Sequence, residues 1–217
     1  MVGFWLPKTK QRKQTVVLYL LFLEDIQMGK AKTFTPSELR RVLDYIATRN
    51  HAKRNRAMLL MTHFAGMRVG EVAALTWSDV ITQDGKVRDE VRLNADQTKG
   101  RHPRIVFVSP KLRKELELYV SSIKARDGDW SFFYTQKNPH RGFTANTLAQ
   151  YFFNMYRKAG MDDASSHSGR RSFATSLASK GVGVRVLMRA MGHRNISTTI
   201  GYIEASDEML RKAVELA

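Results

Sequence analysis

Tyr202 closes an ordered series of residues whose types suit one kind of reaction: Arg68, Glu71, Lys99, His167, Arg170, His193 and Tyr202. Two arginines can hold a phosphate through forked, charge-assisted hydrogen bonds, a lysine and a histidine can move protons, and a tyrosine hydroxyl can attack phosphorus. Together they describe phosphoryl transfer through a protein–phosphate ester. The stretches that carry them read Gly66-Met67-Arg68-Val69-Gly70-Glu71, Thr98-Lys99-Gly100, His167-Ser168-Gly169-Arg170, Met191-Gly192-His193 and Gly201-Tyr202, the tyrosine falling nine residues past His193.

Taken singly, each element is ordinary. Arg68 and Glu71, three apart, face the same way on a helical turn, where a carboxylate can hold a guanidinium or a nearby imidazole, but such pairs are also common surface features. His167 and Arg170 share a helical face at the same spacing, which lets both address one phosphate. Arginine suits that task better than lysine because its planar fork is bidentate and stays charged. Arg171 beside it reads as a backbone or nucleic-acid contact. Lys99 lies in a loop between two strand-like runs, with Lys86 at the other turn as its competitor. A phenol with an ordinary pKa near 10 is a poor nucleophile, so Tyr202 needs cationic neighbours or a base. Metal chemistry lacks its parts: the six histidines (His51, His63, His102, His140, His167, His193) show no His-x-x-x-His or Glu-x-x-His spacing. Nor does the chain contain a Gly-x-x-x-x-Gly-Lys-Ser/Thr phosphate loop.

The order and spacing of these elements resemble the tyrosine recombinase (phage integrase) family, over residues 33 to 215 or so. The resemblance implies that Tyr202 attacks a scissile DNA phosphate, giving a 3′-phosphotyrosyl link and a free 5′-hydroxyl. It makes Arg68 and Arg170 stabilisers of the non-bridging oxygens, His193 a further hydrogen bond to them, Lys99 the proton donor to the departing 5′-oxygen, His167 the handler of the tyrosine proton and Glu71 a supporting group. The ester keeps the energy of the broken bond, so neither nucleotide nor divalent metal is implied as cofactor. The implied partners are double-stranded DNA and further copies of the chain, four on two sites, with a monomer in the absence of DNA. Other outcomes of the same fold are a catalytically idle DNA-binding accessory protein and relaxation of the type IB topoisomerase kind. Two departures stand out. Gly169 replaces an apolar residue before the second arginine, which should loosen local packing. Only about 32 residues precede the catalytic fold where relatives carry a clamping domain of about 100, within the usual range for a domain.

The elements that must position these residues can be read from caps and periodicity. Thr35-Pro36-Ser37-Glu38 is a capping box, predicting a helix over 36–49 with Leu39, Val42, Leu43 and Ile46 inward. A second helix, 53–65, ends at Gly66, a left-handed cap that leaves Arg68 in a turn before the short helical stretch Val69–Leu75. Trp77–Val80 closes this unit. Period two then takes over in Lys86–Leu93 and Arg104–Val108, strands around a polar loop, 94–103, that carries Lys99. Further helices are expected over 110–124, 144–158, 165–179, Val184–Met191 and 206–216, with a short extended piece at Trp130–Tyr134. The fold class is mainly α with a small antiparallel sheet (α+β).

Composition sets the wider bounds. The 217 residues suit a basic extension, 1–32, followed by one domain, 33–217. There is no cysteine, which removes disulfides and thiolate metal sites. The formal net charge is +16, and residues 1–60 hold twelve Lys and Arg against four Asp and Glu. Such a surplus points to a polyanion. The apolar run Val16–Leu23 is shorter than the roughly 20 residues that span a bilayer, and no small-residue cleavage site follows it. It reads as a packing or partner-binding helix, or as upstream sequence with Met28 as an alternative start. No membrane association is expected, and the location implied is the cytoplasm, on the nucleoid.

Overall fold

The computed structural model describes residues 31–135, 138, 141–202 and 214–215. Helix α1, Pro36–Ala47, begins as its capping box predicts: Thr35 N–H donates to Glu38 Oε2 at 2.9 Å and Glu38 N–H donates to Thr35 Oγ1 at 3.3 Å. It buries Val42 and Ile46. Helix α2, Ala52–Ala65, is the axis of the molecule, packed against both the following α5 (Pro110–Val120) and the later α7 (Ser168–Ser179). Covered on both sides, it buries Ala57 through Thr62 without a break, which is why its apolar residues do not form a single stripe. Gly66 ends it in the left-handed conformation, φ 60°.

Two short helices follow, α3 (Val69–Ala73) and α4 (Trp77–Val80). Strands β1, Glu90–Leu93, and β2, Arg104–Phe107, pair antiparallel with Glu90 opposite Phe107 and Leu93 opposite Arg104. Val91, Leu93 and Val106 point inward. The first strand is shorter than the expected 86–93. Arg88 N–H is taken by Val80 O at 2.9 Å and Val87 O by Arg113, so α4 and α5 satisfy the backbone there, and only the Asp89 carbonyl, accepting Val108 N–H at 2.8 Å, still faces the partner strand's continuation.

Helix α5 stops at Val120, not 124, where Ser121 and Ser122 hydroxyls bond back to the carbonyls of Leu118 and Tyr119. Trp130–Tyr134 is extended, with single bridges from Ser131 to Thr76 and from Tyr134 to Gly142. Then come α6 (Ala145–Lys158, capped by Thr144), α7, α8 (Val184–Met191) and α9 (Ile196–Ile200). Helix α7 starts at Ser168 rather than 165 because Ser168 Oγ accepts Ser165 N–H at 3.0 Å, closing a turn first. Helix α9 was not expected from the sequence; the helix expected over 206–216 lies almost wholly outside the described residues.

One large core joins α1 to α6 and the sheet, and a smaller cluster of Ala174, Ala178, Leu187, Met191 and Tyr202 gathers α7, α8 and the C-terminal turn. Gly169 corrects the expectation of looser packing. A Cβ there would lie 2.1 Å from Thr62 Oγ1 and 3.1 Å from Thr62 Cβ, so the bare glycine is what lets α7 lie close against α2.

Candidate active site

Arg68 is the residue before α3 and Glu71 its third, and they close on each other: Arg68 N–H donates to Glu71 Oε2 at 2.8 Å and Arg68 Nη1 lies 3.1 Å from Oε1. The Glu71 side chain is 1% exposed and the Arg68 side chain 22%. The carboxylate thus anchors an arginine that is itself partly exposed. Burial pushes the Glu71 carboxyl up, but Arg104, Arg170 and Arg68 outweigh it and hold it below the usual carboxylate range.

Arg170 stands inside α7, fully buried. Its Nη1 donates to Gly66 O and its Nη2 to Met191 O, so it ties the end of α2 to the end of α8. Nη2 also lies 3.0 Å from His193 Nε2. A guanidinium has no acceptor, so Nε2 must accept, and the imidazole proton sits on Nδ1, 3.0 Å from Thr199 Oγ1. Burial, with Arg170, Arg68 and Arg104 nearby, pushes His193 down to about 3, so it is neutral at ordinary pH. Burial and Arg68 also push Arg170 down, but from so high a starting value that the guanidinium keeps its charge. Its Nε is a buried donor with no hydrogen-bond partner among the described residues.

Tyr202 follows α9, its N–H donating to Thr199 O at 3.0 Å. Its ring stacks on His193 with centroids 5.8 Å apart and 21° between planes, and the Arg171 guanidinium lies over it at 5.6 Å. Arg68, Glu71, Arg170, His193 and Tyr202, spread over 135 positions of sequence, therefore meet in one place. His167 is half-buried at the N-terminus of α7, one turn before Arg170. Lys99 is exposed in the loop between β1 and β2. Lys86, at the other turn, pairs with Asp84 at 2.8 Å. Among the described residues no group of three or more His, Asp and Glu side chains could hold a metal ion.

A model of the family described as phage integrase matches residues 32–209. The chain belongs to that family. The tyrosine recombinase XerA of Thermococcus kodakarensis is 32% identical over 188 residues, covering 86% of this chain and 62% of that protein. The crystal structure of XerA recombinase superposes with TM-score 0.66 at 24% identity, over 85% of this chain and 64% of that one. A Tn1549 transposon integrase in complex with a circular intermediate DNA gives TM-score 0.68 at 19% identity, over 85% and 65%. At those identities the two structures attest the integrase catalytic fold. This chain spans less than two thirds of the length of the relatives it matches.

Two residues of the site escape a motif search. Thr199 is buried and takes the Nδ1 proton of the His193 tautomer that Arg170 sets, from a helix too short to announce itself except by its Asn195 cap. Arg104 donates to both oxygens of Glu71. Its signal was available: alternation along β2 places it on the same face as buried Val106, and a charge at an inward strand position calls for a partner.

Proposed function

We propose that the chain breaks and rejoins DNA strands through a covalent tyrosine ester, as a site-specific recombinase. Tyr202 Oη attacks a scissile phosphorus; the Oη–P bond forms as the P–O5′ bond breaks. The phenolic proton passes to His167, and Lys99 supplies a proton to the leaving 5′-oxygen. Arg68 and the Arg170 guanidinium carry the charge on the non-bridging oxygens, and a phosphate that draws Arg170 Nη2 away leaves His193 Nε2 to hydrogen-bond the same group once the imidazole proton has moved from Nδ1 to Nε2. The 5′-hydroxyl of another strand reverses the attack. These steps consume no nucleotide and call on no metal ion.

The observation that carries this reading is the meeting of both arginines with His193 and Tyr202: a buried, charged guanidinium 3.0 Å from an imidazole on which the candidate nucleophile is stacked. Such cations meet the tyrosine's need for activation. The partner is double-stranded DNA, bound by a strongly basic chain, and four copies act on two sites. Residues 33–217 form the catalytic domain and 1–32 a basic arm alongside the duplex.

The test is cleavage of a pool of nicked duplexes of randomised sequence in EDTA and without nucleotide. Formation of a protein–DNA adduct under those conditions is expected. A strict requirement for magnesium or ATP in the cleavage step would overturn the mechanism.

A further inference from the structure

Glu71 has more cations around it than it needs to hold Arg68. Arg104 Nη2 lies 2.6 Å from its Oε2 and Nε 3.2 Å from its Oε1, a bidentate grip, while Arg68 has one side-chain contact at 3.1 Å. The third nitrogen, Arg104 Nη1, donates to Ala190 O at 2.9 Å, three residues before His193. The arginine shaft runs against Gly192, where an added Cβ would fall 2.6 Å from Arg104 Cδ. The side chain is 8% exposed. Arg104 therefore joins three pieces of the site: the α3 turn that presents Arg68, the strand that leaves the Lys99 loop, and the α8 end that leads into His193.

We infer that Arg104 is a positioning residue, which occupies the buried Glu71 carboxylate so that the Arg68 guanidinium stays available to the phosphate, and which ties the β-hairpin to the turn carrying His193. A carboxylate this deeply buried must be neutralised. With Arg104 gone, Arg68 is the cation tethered to it and would close on both oxygens, turning its fork away from the substrate. Lysine cannot replace Arg104, because a single ammonium cannot bridge two carboxylate oxygens and the Ala190 carbonyl in one plane. The inference rests on the phosphate-transfer reading above.

The test compares Arg104→Met, Arg104→Lys, Glu71→Gln and the Glu71→Gln/Arg104→Met double variant, in single-turnover cleavage of a nicked duplex captured by the wild-type protein and in crystal structures. Arg104→Met should cleave about 10- to 100-fold more slowly, the usual range for a residue that orients a reacting group, with duplex affinity retained. Adding Glu71→Gln should recover most of that loss, since no orphaned charge then captures Arg68, while Arg104→Lys should remain slow. In the Arg104→Met crystal structure Arg68 should chelate both oxygens of Glu71. A double variant slower than Arg104→Met, or an unmoved Arg68 in that structure, would overturn the inference. If Arg104→Met does not fold, the double variant decides alone: it cleaves on this account and is dead if Arg104 acts on the phosphate itself. If the wild-type protein captures no duplex, the reaction reading fails, and the position of Arg68 in the crystal structures still decides for or against Arg104.

Discussion

At the scale of single residues, burial keeps two imidazoles neutral below the pH at which water would protonate them. His193 is pushed down to about 3, and His63, in α2, down to about 4 by burial. An unfolded chain protonates its histidines near 6.5, so below that pH it binds protons that the folded chain refuses. The stability lent by neutral histidine is therefore whole above about 6.5 and drains away as pH falls toward 4 and then 3. Glu71, held below its usual range, adds a loss of the same sign once pH falls below the usual carboxylate value of about 4.5. The melting temperature should fall steadily from pH 7 to pH 5, and His63→Gln should flatten that fall. A melting temperature indifferent to pH over this window would show that neither imidazole is held neutral by the fold.

At the scale of elements, the site depends on how closely α7 lies against α2. Gly169→Ala should force Thr62 aside and cost about 1–3 kcal/mol, as overpacking of a tight contact does. Arg170 is the next residue, so cleavage should fall more than stability alone explains. Thermal unfolding and single-turnover cleavage of the same variant check both, and an unchanged melting temperature would contradict the close approach. Elements with a strong local signal were legible in advance: Thr35 and Thr144 caps, the Gly66 turn and the period-two runs mark α1, α6, the end of α2 and both strands. What was not legible depends on residues distant in sequence. The shortening of β1 is set by Arg113 and α4, the need for Gly169 by Thr62, and the partner that an inward Arg104 calls for is Glu71, 33 positions earlier. Helix α9 is five residues long, too short for its single i, i+4 pair, Ile196 and Ile200, to establish a period.

At the scale of the whole molecule, charge governs affinity and the buried cluster governs chemistry. A chain of net charge +16 displaces counterions when it meets duplex DNA, so binding should weaken steeply with salt. Residues 1–32 hold six Lys and Arg against two acids, and their removal should make the dependence of log affinity on log salt shallower. An unchanged slope would mean that this arm does not touch DNA. The central claim is that Tyr202, drawn into the Arg170–His193 cluster from the far end of the chain, becomes bonded to DNA. The direct measurement is to trap the adduct on nicked duplexes, denature it, digest it and identify by mass spectrometry the residue that carries the nucleotide, with Tyr202→Phe in parallel. The account predicts a phosphotyrosyl ester at Tyr202 and no adduct from Tyr202→Phe; an adduct that persists in that variant, or one mapped to another side chain, would contradict it.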